Sequence, residues 1–254
     1  MMRILLSNDD GCTAPGLSYL AIGLSSFGKI TVVAPDRERS GAGNSLTLDR
    51  PLRVTYADNG FIHVDGTPVD CVHLAITGLL DHQPDIVVSG INAEANLGDG
   101  VLYSGTVAAA MEGRFLDLPS MAISLVSDRK GPVHFETAVR AVRLLFEQIG
   151  QDLVPAGTIF NVNVPDLDWR QIRGFEVTRL GYRSTAEKAV VTTDPRGRTV
   201  YWVGSQGLEC DAGPGTDFFA VKSKKVSVTP IHADLTRYGA LEMMSNWVDK
   251  ICWF

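Results

Sequence analysis

The stretch Arg3-Ile4-Leu5-Leu6-Ser7-Asn8-Asp9-Asp10-Gly11 decides the reading of this chain. Four apolar or small residues in unbroken succession, then an amide, two carboxylates and a glycine, have the pattern of a strand buried on both faces of a parallel sheet. The acids fall at the carboxyl end of that strand. Ligands bind at this edge in open α/β sheets, so adjacent carboxylates are well placed for chemistry. Side chains alternate along a strand, and Asp9 and Asp10 converge only if the backbone turns beneath them. Gly11 permits the turn. Two like charges at a semi-buried strand end repel, which a bound cation relieves; an all-oxygen donor set favours Mg²⁺, Mn²⁺ or Ca²⁺ over zinc. Asp-Asp-Gly taken alone also serves as a polar turn that caps the next helix.

Downstream the pattern repeats as strand, crossover and strand. Leu17, Leu20, Ala21 and Leu24 have helical spacing between Pro15 and Gly28, and Ile30 to Ala34 forms a second buried strand. The loop Pro35 to Ser45 leaves the same sheet edge, where Ser40, Gly41, Gly43 and Asn44 offer donors to an anion. Its Gly-x-Gly is no dinucleotide fingerprint, because Leu46 occupies the third glycine position. Leu52 to Tyr56 and Phe61 to Val64 read as a hairpin around Asp58-Asn59-Gly60. Thr67-Pro68-Val69-Asp70 reads as a helix start with Asp70 reaching back, a structural role, and the helix is expected to reach about Leu80.

Ile86 to Ser89 is the third parallel strand, followed by the Asn- and Gly-rich segment Gly90 to Gly100. Asn92 there would complete an oxygen-only metal site without adding charge. Tyr103-Ser104-Gly105-Thr106 opens a helix reaching about Phe115, whose N-terminus is a natural phosphate seat; capping by Ser104 is the ordinary alternative. Met121 to Leu125 is a fourth strand, and Phe135 to Ile149 a helix with Val139, Val142, Phe146 and Ile149 on one face. Beyond Gly150 come strands at Ile159 to Val164, Phe175 to Arg179, Val200 to Val203 and Lys225 to Pro230, divided by polar connections of which Gly207 to Asp217 is the longest. Leu241 to Trp253 reads as a helix ending in exposed aromatics, suited to a contact with another subunit.

The fold class expected is therefore α/β: a Rossmann-like parallel sheet with helices on both faces, plus a less regular C-terminal half with hairpin or exchanged elements. Residues 1–150 form the metal- and phosphate-binding core, and 151–254 an extension that completes the fold and contributes to oligomerisation. The 254 residues, 45% hydrophobic and 20% charged with a formal charge of -6, are ordinary for a globular protein, and no basic patch invites duplex nucleic acid. Cys12, Cys71, Cys210 and Cys252 form no metal or redox motif. No apolar run approaches the roughly 20 residues that span a bilayer, and no charged leader precedes the first strand, so the cytoplasm is the expected compartment.

Taken together, the motifs resemble the survival protein SurE family of metal-dependent nucleotidases over nearly the whole chain. They are Ser7 to Gly11, Ala34 to Arg37 with Arg39-Ser40-Gly41, Gly66-Thr67-Pro68, Ser89 to Asn92, Tyr103 to Thr106, Asn161-Val162-Asn163-Val164-Pro165 and Gly213-Pro214-Gly215-Thr216-Asp217. The resemblance implies one divalent metal ion per subunit, Mg²⁺ or Mn²⁺, held by Asp9, Asp10, Ser40 and Asn92. It implies phosphate contacts near Asn96 and Ser104 to Thr106, joined by Gly41 and Asn44. The implied reaction is hydrolysis of nucleoside 5′- and 3′-monophosphates, with short polyphosphate as a further substrate, in a homodimer or homotetramer built by exchanging carboxyl-terminal elements. Asp9 would orient water or act as general base, and Asn92 would share the catalytic site. The chain departs from the family pattern at two positions of the Asn92 loop: Glu94 stands for a glycine and Gly100 for an aspartate. A glycine needed there for a positive φ would leave Glu94 strained.

Two other classes use acids after the first strand. A haloacid-dehalogenase-type phosphatase needs a nucleophilic aspartate two residues before Asp10, where this chain has Asn8, and an amide is a poor nucleophile. A receiver-like signalling module needs an acceptor aspartate after a later strand, where this chain has Ser89, Gly90 and Asn92.

Overall fold

A computed structural model describes residues 1–116, 118–127, 133–149, 154–155 and 157–251. The expected order of elements is present. Strand β1 (Met2–Ser7), helix α1 (Pro15–Leu24) and strand β2 (Gly28–Pro35) form the opening βαβ unit, followed by the hairpin of β3 (Val54–Tyr56) and β4 (Ile62–Val64). Helix α2 (Pro68–Leu74) follows, then β5 (Ile86–Asn92), α3 (Gly105–Glu112), β6 (Ser120–Val126), α4 (Phe135–Phe146) and β7 (Ile159–Pro165). The C-terminal half adds β8 (Phe175–Val177), β9 (Tyr182–Arg183), β10 (Val190–Thr193), β11 (Thr199–Trp202), β12 (Glu209–Asp211), α5 (Asp217–Lys222), β13 (Val226–Ile231) and α6 (Leu241–Val248).

Among the described residues nine strands make one sheet in the order β3-β4-β2-β1-β5-β6-β7-β13-β8, parallel through its centre from β2 to β7, with β13 antiparallel to β7. Alternation along β1 explains the layering. Ile4 and Leu6 pack with Leu17, Leu20 and Leu24 of α1 and Val142 and Phe146 of α4 on one face, while Leu5 packs with Cys71, Val72 and Ala109 of α2 and α3 on the other. A strand buried on both faces has no solvated side to give polar residues to, which is why its sequence is an unbroken apolar run.

Local signals hold where short-range chemistry sets them. Thr67 Oγ1 accepts from the Asp70 N–H at 3.0 Å while Asp70 Oδ2 accepts from the Thr67 N–H at 2.8 Å, a complete capping box with Pro68 at the first position. The α-helix there stops at Leu74 and continues as a wider turn over Ala75–Leu79.

Several elements depart from expectation. The C-terminal strands β7, β13 and β8 extend the same sheet, and other parts of this half hold elements absent from the sequence reading. The Gly207 to Asp217 connection contains β12, which pairs with β9, and the polar stretch before Val200 contains β10, which pairs with β11 as a freestanding exposed arm. Helix α5 adds to the elements expected from the sequence. Thr216 caps it by accepting from the Phe219 N–H, and the buried Asp217 carboxylate accepts from Gly98 N–H at 2.7 Å and Gly181 N–H at 3.0 Å, tying the Asn92 loop to the C-terminal half. The Thr-Asp pair after Gly213-Pro214-Gly215 is the cap signal that marks it. The terminal helix ends at Val248; Cys252 and Trp253 lie outside the described residues, as does Gly150. Cys12 and Cys71 are buried free thiols and Cys210 an exposed one.

Candidate active site

The register Ser7↔Ser89 sets the residues after β1 level with the end of β5, so the turn Asn8-Asp9-Asp10 lies beside Gly90-Ile91-Asn92 at the carboxyl edge of the sheet. Three features hold that turn. Asn8 Nδ2 donates to the Gly11 carbonyl at 2.9 Å, Gly11 adopts φ +95°, and a Cβ on Gly11 would lie 2.9 Å from the Arg37 carbonyl carbon. Only glycine meets both demands. The loop after β2 is pinned to the same point, since the Arg39 N–H donates to the Asp9 carbonyl at 2.7 Å.

Asp9 is buried, 4% exposed, and its carboxyl is tied to the first turn of α3. Thr106 Oγ1 donates to Asp9 Oδ1 at 2.5 Å. Burial pushes the Asp9 carboxyl above the usual carboxylate range, opposed by the Thr106 hydroxyl and by the backbone amides of Thr106 and Gly105. Helix and acid touch because residue 105 lacks a side chain: a Cβ there would lie 2.7 Å from Asp9 Cβ and 2.9 Å from Asp9 Oδ2. The N-terminus of α3, expected to seat phosphate, is thus occupied on this side by Asp9.

The remaining site residues divide by partner. Asn92 Nδ2 donates to the Glu94 carbonyl at 2.8 Å, which assigns the other branch of that nearly buried amide as the acceptor oxygen. Asp10 is half-buried beside Asp9. Ser40 is exposed on the pinned loop, one residue from the Asp9 contact, with its hydroxyl donating to Glu38 Oε1 at 3.1 Å rather than to either acid. Gly41 and Asn44 are exposed on the same loop. Ser104 caps α3, its Oγ accepting from the Val107 N–H at 3.0 Å, and keeps its own O–H as a donor.

Asn96 is committed to a buried amide network. Its Nδ2 donates to Ser124 Oγ at 2.8 Å, its N–H to Asn163 Oδ1 at 2.9 Å, and its carbonyl accepts from Asn161 and Asn163. This bonding makes it an anchor of the loop. Glu94 is exposed and outside the positive-φ residues, so the expected strain is absent; Gly98, at φ +60°, carries the conformational demand of this loop.

Among the described residues no three His, Cys, Asp or Glu side chains converge on a point that would hold a metal. The donors available are instead two carboxylates with neutral oxygens from an amide and a hydroxyl, without nitrogen or sulfur, a set that suits a hard divalent cation. The pairing of Thr106 with Asp9 goes beyond what the sequence alone indicates. A hydroxyl in the first turn of a helix that follows the strand beside β1 is the signal available, and locally it suits a phosphate donor equally well.

The fold and site define an α/β protein with an oxygen-donor acid cluster at the carboxyl edge of a parallel sheet. Residues 4–187 match the family model described as Survival protein SurE, and the chain belongs to that family. It is 62% identical over 247 residues to a protein of Methylococcus capsulatus named 5'-nucleotidase SurE, covering 97% of this chain and 98% of the relative. A protein of Legionella pneumophila with the same name is 59% identical over 251 residues, covering 99% of both. The crystal structure of the SurE protein from Aquifex aeolicus superposes with a TM-score of 0.84 at 42% identity, covering 97% of this chain and 99% of that one. No helix among the described residues is long and apolar enough to cross a membrane.

Proposed function

We propose that this chain is a metal-dependent phosphomonoesterase that hydrolyses nucleoside 5′-monophosphates, accepts 3′-monophosphates, and takes short polyphosphate as a further substrate. The observation that carries the reading is the desolvated Asp9 carboxylate, held by Thr106 at the sheet edge beside Asp10 and Asn92. The substrate class follows from the name that the relatives bear. One Mg²⁺ or Mn²⁺ per subunit, held by Asp9, Asp10, Asn92 and Ser40, would neutralise phosphate charge and acidify water at the site. Asp9, fixed by two elements at once, orients the attacking water and accepts its proton; burial raises its basicity for that task. The Asn92 amide oxygen lends polarity without a third repelling charge. Gly41, Asn44 and the Ser104 hydroxyl are the exposed or uncommitted donors that bind nonbridging phosphate oxygens, and Gly105 permits the approach. Asn96 acts through the loop that it anchors.

Residues 151–254 contribute a contact between subunits, dimeric or tetrameric. The support is apolar surface: Tyr201 and Trp202 on the β10–β11 arm and Met243 and Trp247 on α6 are all exposed. The family membership suits a cytoplasmic protein. Phosphate release from AMP, measured with and without chelator and after Mg²⁺ or Mn²⁺ is restored, tests the activity; full turnover in metal-free buffer rules out the metal-dependent reading.

A further inference from the structure

A cavity of about 290 Å³ is lined by Asp99, Gly100, Tyr103, Arg183, Ser184 and Gln206 among others. It lies between the turn leading into α3 and the base of the β10–β11 arm. The two walls are fastened together: Arg183 N–H donates to Asp99 Oδ1 at 3.1 Å, and the base of the arm is closed by Ser184 N–H to the Leu208 carbonyl at 2.8 Å and Glu187 N–H to the Ser205 carbonyl at 2.9 Å. The Arg183 guanidinium lies 4.8 Å from the Phe218 ring centroid, a further contact of that wall. Tyr103 is 71% exposed and immediately precedes Ser104, the cap of the helix whose first turn holds Asp9. An aromatic ring thus stands beside the catalytic helix with a face free to stack.

We infer that this cavity receives the nucleobase of the substrate, with Tyr103 as the stacking platform and Gln206 reading the base edge; the inference rests on the nucleotidase reading above. The Gln206 side chain makes no hydrogen bond to another described residue and presents one donor and one acceptor. Adenine offers the complementary pair, an amino donor beside a ring-nitrogen acceptor, whereas the corresponding edge of guanine offers two acceptors. Gly100 keeps the arrangement available. A Cβ at this position would lie 3.6 Å from Gln206 Nε2 and 3.7 Å from Oε1, so a side chain fits sterically, but an aspartate would engage the amide and add negative charge to the cavity. The departure from aspartate at Gly100 leaves Gln206 free for the base.

Steady-state kinetics of the full chain on AMP, GMP and glycerol phosphate, a phosphomonoester with no ring, provide the test. Tyr103→Ala is expected to raise KM for AMP on the order of tenfold, with kcat within about twofold and glycerol phosphate kinetics unchanged. Gly100→Asp and Gln206→Leu are expected to raise KM for AMP and to erase a preference for AMP over GMP. Equal changes on AMP and glycerol phosphate, or none on AMP, overturn the inference while the phosphatase reading stands. Calorimetry with adenosine, which lacks the phosphate, separates the two readings. Binding by the wild type that Tyr103→Ala abolishes supports the pocket even if turnover fails, and binding that is absent or indifferent to Tyr103→Ala overturns it.

Discussion

Thr106 Oγ1 donates its proton to Asp9 Oδ1 across 97 positions of sequence, at the point where the first turn of α3 meets the end of β1. Thr106 is fully buried, so its hydroxyl is a positioning group for the acid. Thr106→Val keeps the shape and removes the donor. It is expected to lower kcat on the order of tenfold, leave inhibition by inorganic phosphate unchanged, and cost about 1–3 kcal/mol of stability, with Thr106→Ser restoring most of both. Weakened phosphate inhibition with an unchanged kcat would return Thr106 to the phosphate seat.

Asp9 and Asp10 should separate in a metal titration. Asp9→Asn is expected to lower kcat by a factor on the order of 10² or more, with far-ultraviolet circular dichroism unchanged, because the amide cannot accept a proton from water. Asp10→Asn is expected to raise the Mg²⁺ or Mn²⁺ concentration needed for half-maximal rate. A near-normal rate in Asp9→Asn removes that residue from the mechanism.

Glu94→Gly tests the family departure. Because Glu94 has no positive φ, replacing it relieves no backbone strain, and added freedom in the unfolded chain should lower stability by about 0.4–1 kcal/mol. Denaturant titration measures this; a stabilised variant would show that strain is stored at the position.

The Asp70 carboxyl governs an acid-dependent part of stability. Burial disfavours its charge, but hydrogen bonds from Thr47 and Thr67 outweigh burial and hold it below the usual carboxylate range. A depressed folded pKa means that this stabilisation is complete above the unfolded value of about 3.9 and is lost as pH falls through the folded value. Asp70→Asn is therefore expected to lower stability by about 1–2 kcal/mol at pH 7, with the gap to wild type narrowing below pH 4 in urea titrations. A gap independent of pH would assign the loss to packing alone.

The exposed arm and tail predict assembly. Light scattering of the wild type should report a multiple of the 27.5 kDa chain mass, and Trp247→Glu or Trp202→Glu should shift it downward. A monomeric wild type would leave that apolar surface without the proposed role.

The sequence by itself determined the layered α/β core, the capping box at Thr67 and Asp70, and the placement of Asp9, Asp10 and Asn92 at one sheet edge. Each depends on short-range chemistry: two-sided burial writes an apolar run, a cap needs residues three apart, and parallel strands carry their loops to a common edge. Only the tertiary structure decided the partners. Thr106 faces Asp9, Asn96 turns inward to Ser124 and Asn163, and Asp217 gathers Gly98 and Gly181, contacts spanning between 28 and 119 positions. A hydroxyl or amide has the same local signature whether it will meet a ligand or a distant residue; packing of α3 and α5 against the strand ends makes that choice. The short strands β9, β10 and β12 are hidden for the same reason, since pairing supplies order that two to four residues cannot encode locally.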